Sequence, residues 1–374
     1  MRELVAVEAA GTVGGDAFAD VLRRTWDEGD ALLPLDPRLP HPALDRLLDR
    51  LQPSVVVTAD GTVTRRPAGA GRPVEEGDAV VVPTSGSTGE PKGVVLTHDA
   101  VAASALAVHR GLGIDPARHR WLSCLPLAHI AGLAVVMRGL VTATPVVVHG
   151  GFEATAVEAA ARAGATHASL VPTALGRIDA SLFERIVVGG GAPPAHLPPN
   201  VVASYAMTET GSTVAYDGVP LEGVELRIVD GEVQVRGPML LRAYRDGTDP
   251  KDGDGWLPTG DAGELMAEGV LRVHGRRGDV IVTGGEKVWP VPVEEALRTA
   301  PGVADVAVAA ASDPEWGHRV VAHVVPVDPA APPSLDALRH HVRATLPAYA
   351  APRELVLRER LPRTALGKIR RSQL

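Results

Sequence analysis

Thr84-Ser85-Gly86-Ser87-Thr88-Gly89-Glu90-Pro91-Lys92-Gly93 gathers hydroxyls, three glycines and one ammonium into ten residues, directly after the apolar run Asp78–Pro83. That run reads as a buried strand. Glycines let the backbone approach a ligand and turn its N–H groups inward, and such arrays form anion-binding nests. Spacing excludes the two commonest phosphate loops. A Walker A loop needs G-x-x-x-x-G-K-[ST], but Pro91 stands five positions after Gly86, and Gly93 follows Lys92. The dinucleotide pattern G-x-G-x-x-G fails here and again at Gly189-Gly190-Gly191-Ala192-Pro193. The stretch is therefore a phosphate loop of another kind. A strand over Val94–Thr97 and a helix over His98–Leu112, with Asp99 near its start, are expected to follow it.

Lys92 is one of only four lysines in 374 residues, against 33 arginines. A lysine retained in such a chain marks a place where a compact ammonium on a thin stem does what a planar guanidinium cannot. Lys92, Lys287 (in Gly284-Gly285-Glu286-Lys287) and Lys368 (in Pro362-Arg-Thr-Ala-Leu-Gly-Lys368) all lie in glycine-containing segments. Lys251 reads as a surface residue, and Lys287 fits a solvated loop as well as a site.

Hydrophobic residues at 45% and charged residues at 22% are ordinary globular values, and the length suits two or three domains. A net charge of −8 argues against a general nucleic-acid or anionic-membrane binder, while leaving room for a local basic pocket. The single cysteine, Cys124, excludes an internal disulfide framework and reads as a core thiol. The N-terminus lacks a signal-peptide layout, and the apolar window Ala131–Val148 is broken by Arg138 and Pro145. A soluble, cytoplasmic protein without stable membrane insertion is expected. The oligomeric state is open, and a homo-oligomer is compatible with this reading.

Helical patches at Asp16–Asp27 and His41–Leu51 lead into a loop over Pro67–Pro73. Short β-branched runs (Pro145–Val148, Ala168–Val171, Arg185–Val188) then alternate with Ala-rich helical stretches, which argues for α/β layers on largely parallel sheets. Asp230-Gly231 closes an expected hairpin. Beyond Gly275–Asp279 the pattern becomes that of a compact α+β domain of about 95 residues, a usual domain size. The fold class is thus α/β: a large N-terminal domain of layered α/β subdomains over 1–277, and a small mobile α+β domain over 278–374.

The loop Thr84–Gly93 resembles the signature of the acyl-adenylate-forming, or AMP-binding, superfamily. Five further matches follow in the expected order: Tyr205-Ala-Met-Thr-Glu209, Thr259-Gly-Asp261, Gly275-Arg276 with Asp279, Gly284–Val288 and Pro362–Lys368. The resemblance implies that a carboxylate attacks the α-phosphate of ATP, and that a thiol such as coenzyme A then takes the acyl group and releases AMP. Neither step needs a protein nucleophile; both need positioning and charge neutralisation. It assigns the β- and γ-phosphates to Thr84, Ser85, Gly86, Ser87, Thr88, Gly89 and Lys92, and the α-phosphate to Thr208. Mg²⁺ falls to Glu209. Tyr205 would stack on adenine opposite Gly189, Gly190 and Gly191, Asp261 would accept from the ribose hydroxyls, and Arg276 would sit beside ribose or phosphate. Lys368 would bridge the incoming carboxylate and the α-phosphate.

The chain departs from the family at three places. Ala206 replaces a usual glycine, Gly278 occupies the expected hinge where aspartate is common, and the region before the phosphate loop is short. Leu125–Leu133 and Tyr216–Ile228 resemble the compact o-succinylbenzoate–CoA ligases of actinobacterial menaquinone synthesis. That likeness puts His129 at the acyl pocket, with Ser169 and Thr173 lining it. His129 fits a core histidine almost as well. Alternatives are another carboxylic acid (benzoate-like or medium-chain), a carrier-protein thiol as acceptor, or a non-catalytic nucleotide-binding relative.

Overall fold

The computed structural model describes residues 2–9, 15–67, 69–85, 91–194, 196–364, 367 and 369–374. Gly86, Ser87, Thr88, Gly89 and Lys368 therefore lie outside the described residues. The chain forms two compact units, one of Met1–Glu225 with Val235–Leu257, the other of Leu226–Gln234 with Pro258–Leu374. These contact units divide earlier than the 277/278 boundary read from the sequence. The hairpin at Asp230-Gly231 and the segment from Pro258 group with the C-terminal part.

The first unit holds two seven-stranded sheets. In one, Val146–Val148, Trp121–Ser123, His167–Leu170, Arg185–Val188 and Val201–Met207 run parallel in that spatial order. They are extended antiparallel by Ser212–Tyr216 and Val219–Pro220. The other is less parallel than its sequence suggests. Leu4–Glu8 pairs parallel with Ala31–Leu35 and Val55–Val57, and Ala31–Leu35 pairs parallel with Asp78–Ser85. Pro91–Thr97 then folds back antiparallel on Asp78–Ser85, placing Thr84 opposite Lys92. The described ends of the phosphate segment, Thr84–Ser85 and Pro91–Gly93, thus lie on two paired antiparallel strands.

The helix His98–Leu112 starts where a cap is available. Thr97 Oγ1 accepts from the Ala100 N–H at 3.1 Å, Asp99 adds a carboxylate to the first turn, and Gly113 ends the helix at φ 64°. Its face of Ala100, Val101, Ala105 and Val108 is buried and packs on the helix Ile130–Thr142. Among the described residues no helix is long and apolar enough to cross a membrane.

The N-terminal sheet is tied to its loops by one buried arginine. Arg245 donates to the carbonyls of Leu51 (3.1 Å), Pro73 (2.9 Å) and Arg72, while Arg72 donates back to the Arg245 carbonyl. Burial depresses the Arg245 guanidinium to a pKa of about 10. Those backbone oxygens belong to the Pro67–Pro73 loop and the end of the helix His41–Leu51, so Arg245 ties both to the strand Ala243–Tyr244.

In the second unit, a four-stranded sheet (Glu225–Val229, Glu232–Arg236, Leu257–Leu265, Leu271–Arg276) precedes a five-stranded one built on the long pair Val303–Asp313 and Gly317–Pro326. Helices Pro290–Arg298 and Leu335–Arg343 cover the latter with Val293, Leu297, Leu338 and Val342. Asp230 (φ 49°) and Gly231 (φ 75°) make the left-handed two-residue turn expected of Asp-Gly.

Candidate active site

In the first unit the loops at the carboxyl ends of the parallel strands collect the expected residues, the usual place for a ligand in an α/β sheet. Ser123 leads to Leu125–His129, Leu170 to Val171–Thr173, and Val188 to Gly189–Gly191; Tyr205–Glu209 ends the neighbouring strand. The Gly189 N–H donates to the Leu170 carbonyl at 3.0 Å, drawing the glycine turn over the Val171–Thr173 loop. Gly190 takes φ 79°, which a side chain would strain. Tyr205 is half-buried, Ser169 is half-buried and Thr173 is exposed. Ala206, where the family carries glycine, does not take a positive φ, so alanine costs the backbone nothing there.

Gly93 belongs to the loop by sequence but to the core by packing. A Cβ there would meet Val81 at 2.7 Å, Leu51 at 2.8 Å and Arg245 at 2.9 Å. Lys92 emerges one residue earlier, with its Nζ 4.8 Å from the ring centroid of Tyr244. The Tyr244 hydroxyl donates to Glu209 Oε1 at 3.1 Å. Glu209 lies in the single turn Thr208–Thr210, and its carbonyl accepts from the Leu241 N–H at 2.7 Å. Lys92, Glu209 and Thr208 are thus parts of one wall.

His129 is not a core histidine. It precedes the helix Ile130–Thr142, is about a third exposed, and its Nε2 lies 3.8 Å from Asp36 Oδ2. Asp36 is held below the usual carboxylate range, first by its fork to Arg38 (2.8 and 2.7 Å) and to a smaller degree by His129. Cys124 is fully buried and burial pushes its thiol up to about 12, so it serves the core as expected.

The second unit holds Asp261 and Arg276 on adjacent antiparallel strands, directly paired in register. Arg276 Nε lies 3.1 Å from Asp261 Oδ1, and its Nη1 donates to the Thr259 carbonyl at 2.8 Å. Asp261 is buried while Arg276 is 57% exposed, so the carboxylate is the fixed member of the pair. Lys287 is exposed beside the Gly284-Gly285 turn. Gly278 sits in the turn Arg277–Asp279 without positive φ, and a Cβ there would meet nothing within 4 Å. Nothing local therefore demands glycine in this conformation.

Two residues had no sequence signal. Lys251 is not a surface lysine: it is 18% exposed, and its Nζ reaches the Leu241 and Arg242 carbonyls (2.8 and 3.0 Å) and Asp249 Oδ1 (2.8 Å). It fixes the segment that carries Tyr244. Arg138 is almost fully buried, stacks 4.6 Å over Trp121 and has no hydrogen-bond partner among the described residues for Nε and Nη1. A buried guanidinium left short of partners is costly.

Residues 64–245 match the family model of the AMP-binding enzyme, and residues 292–368 that of its C-terminal domain. The chain is 40% identical to the probable 2-succinylbenzoate–CoA ligase of Mycobacterium tuberculosis, over 89% of this chain and 93% of that protein. It is 34% identical to the 2-succinylbenzoate–CoA ligase of Bacillus subtilis, over 79% of this chain and 68% of that one. The solved o-succinylbenzoate CoA synthetase of Bacillus subtilis, in complex with its acyl-adenylate intermediate, superposes with a TM-score of 0.84 at 27% identity, covering 99% of this chain and 87% of that structure. With family models matching residues 64–245 and 292–368, and a relative 40% identical over 93% of its length, this chain belongs to the AMP-binding enzyme family.

Proposed function

We propose that the chain is an ATP-dependent 2-succinylbenzoate–CoA ligase, which forms an acyl-adenylate and then a CoA thioester. The observation that carries the reading is the 40% identity over 93% of a protein so described.

In the first step a carboxylate oxygen attacks the α-phosphate, a P–O bond forms, and the bond to the β-phosphate breaks to release pyrophosphate. Lys92 and the loop from Thr84 hold the leaving phosphates, and Thr208 the α-phosphate. Tyr205 and Gly189–Gly191 hold adenine, while Asp261 and Arg276 hold the ribose. Lys368 neutralises charge where carboxylate and phosphate meet. In the second step the CoA sulfur attacks the acyl carbonyl and forms the C–S bond, its thiol proton passes to solvent, and the C–O bond to AMP breaks with its pair leaving on AMP.

The donor set fits Mg²⁺. Among the described residues no three His, Cys, Asp or Glu side chains cluster as a protein cage, and Glu209 offers a single carboxylate joined to Lys92 through Tyr244. Magnesium ions are commonly held by one or two carboxylates plus substrate phosphates and waters. When bound, the ion supplies charge neutralisation on the phosphates. The division at 277/278, with Gly278 as its hinge, belongs to the same proposal.

The test compares acceptors and the lysine. Wild-type protein given ATP and 2-succinylbenzoate is expected to release pyrophosphate and convert CoA, not a phosphopantetheinyl carrier, to thioester. Lys368→Ala is expected to lose roughly 10²–10³ of the pyrophosphate rate, the usual cost of one preorganised charge contact. Thioester on the carrier alone, or full activity in Lys368→Ala, would overturn the reading.

A further inference from the structure

Tyr244 is the only described side chain seen to touch both the phosphate-loop lysine and the carboxylate assigned to the metal. It comes from a two-residue strand, Ala243–Tyr244, at the edge of a sheet. There Tyr244 pairs antiparallel with Val94, two positions beyond Lys92. Side chains two apart on a strand share a face. The ring is therefore delivered beside Lys92 by backbone register rather than by chance contact. The strand itself is braced: the Arg245 N–H donates to the Gly93 carbonyl at 2.7 Å, and the Tyr244 N–H to the Thr248 carbonyl at 2.8 Å. The Leu241 N–H grips the Glu209 backbone from the same segment.

We propose that Tyr244 is a positioning residue that couples the two halves of the nucleotide site: its hydroxyl orients Glu209, and its ring face restrains Lys92. A carboxylate has about four lone-pair directions. The phenol occupies one on Oε1 and turns the remaining ones toward the phosphate side. A cation over a tyrosine face is attracted at exposed sites by an amount comparable to one hydrogen bond, enough to bias an otherwise flexible lysine. The chain has only four tyrosines and 3% aromatic residues, and two of the four, Tyr205 and Tyr244, stand at this site. The proposal rests on the reading of Glu209 as the metal carboxylate, so its test must separate the two.

The full-length protein is compared with Tyr244→Phe, Tyr244→Leu and Glu209→Gln. Mn²⁺ binding in the presence of ATP, without acid, is followed by electron paramagnetic resonance. The KM values for ATP and for the acid, and the melting temperature, are measured alongside. Tyr244→Phe keeps the ring and loses the hydroxyl; it is expected to weaken Mn²⁺ binding about fivefold, the size of one hydrogen bond. Its acid KM should stay within twofold and its melting temperature should be unchanged. Tyr244→Leu is expected to weaken Mn²⁺ binding equally and also raise the ATP KM several-fold, because Lys92 is released. Glu209→Gln is expected to lose most Mn²⁺ binding. If Glu209→Gln binds Mn²⁺ like wild type, the metal assignment fails. If it does not, but Tyr244→Phe does, the coupling proposed here is wrong. Parallel shifts of every parameter with the melting temperature would leave Tyr244 a structural residue and also refute the proposal.

Discussion

Asp261→Asn isolates the proposed ribose contact. The exchange keeps shape and one acceptor oxygen, but removes the charge and replaces the second acceptor with a donor. Two effects compete. Arg276 loses its counter-charge at 3.1 Å, but Arg276 is 57% exposed and keeps its bond to the Thr259 carbonyl. With its arginine open to solvent the pair is screened on one side and contributes about 1 kcal/mol, so folding stability should move little. The lost ribose bond is charge-assisted and faces a buried carboxylate, which makes it worth about 1.5–3 kcal/mol, or roughly 10- to 150-fold in ATP affinity. Binding therefore outweighs stability. The assay is pyrophosphate release at varied ATP and at varied 2′,3′-dideoxy-ATP. Wild type should lose at least about tenfold in kcat/KM on removal of the two hydroxyls, and Asp261→Asn no more than about threefold, because its partner is already gone. Equal discrimination by the two proteins would refute the assignment, as would an ATP KM unchanged in the variant.

Three further outcomes are expected. His109 and His167 are each pushed down to about 4, chiefly by burial and then by nearby positive charge. Both are neutral in the fold, while the unfolded chain takes up protons below about pH 6.5. Stability is therefore full above that pH and falls toward pH 4, by up to roughly 1.4 kcal/mol per pH unit per histidine. Urea unfolding at pH 7.5 and 5 should show this, and His167→Gln should flatten the slope; equal slopes would contradict it. Glu294, 3% exposed, accepts from Arg371 at 2.5 Å and from the Val308 N–H at 2.8 Å. Glu294→Leu should cost about 3 kcal/mol by leaving Arg371 poorly paired, read by urea unfolding, and an unchanged midpoint would sink that account. Native Cys124 should resist iodoacetamide at pH 8 and react once urea is added, whereas rapid native modification would contradict its burial.

Local signals were legible wherever the cause is local. The helix His98–Leu112 was bounded to the residue because Thr97 and Gly113 are its caps, and Asp230-Gly231 named its own turn. The phosphate segment misled in one respect. Its glycines advertise backbone freedom but say nothing of pairing, so the antiparallel return of Pro91–Thr97 onto Asp78–Ser85 stayed hidden. Gly93 falls within the glycine-rich stretch by sequence, while its close approach to Leu51 and Arg245 comes from chain segments far away in sequence. Lys251 misled for the same reason: the carbonyls it satisfies become neighbours only when the Leu241–Lys251 loop closes. Tyr244 joins positions 92 and 209 through sheet register, and no pattern around residue 244 announces that. Motifs name candidate residues from local sequence, whereas contacts made by tertiary packing, such as Tyr244 with Lys92 and Glu209, leave no local pattern.

The choice of acid is the central claim, and a panel of acids tests it most directly. Pyrophosphate release should be measured with 2-succinylbenzoate, benzoate, 2-acetylbenzoate, malonate and octanoate at saturating ATP and Mg²⁺. The account predicts a kcat/KM for 2-succinylbenzoate at least about 100-fold above every other acid, since a site that pairs a substrate's polar group rejects analogues that lack or misplace it. A better substrate among the others, or pyrophosphate release indifferent to the acid, would contradict it.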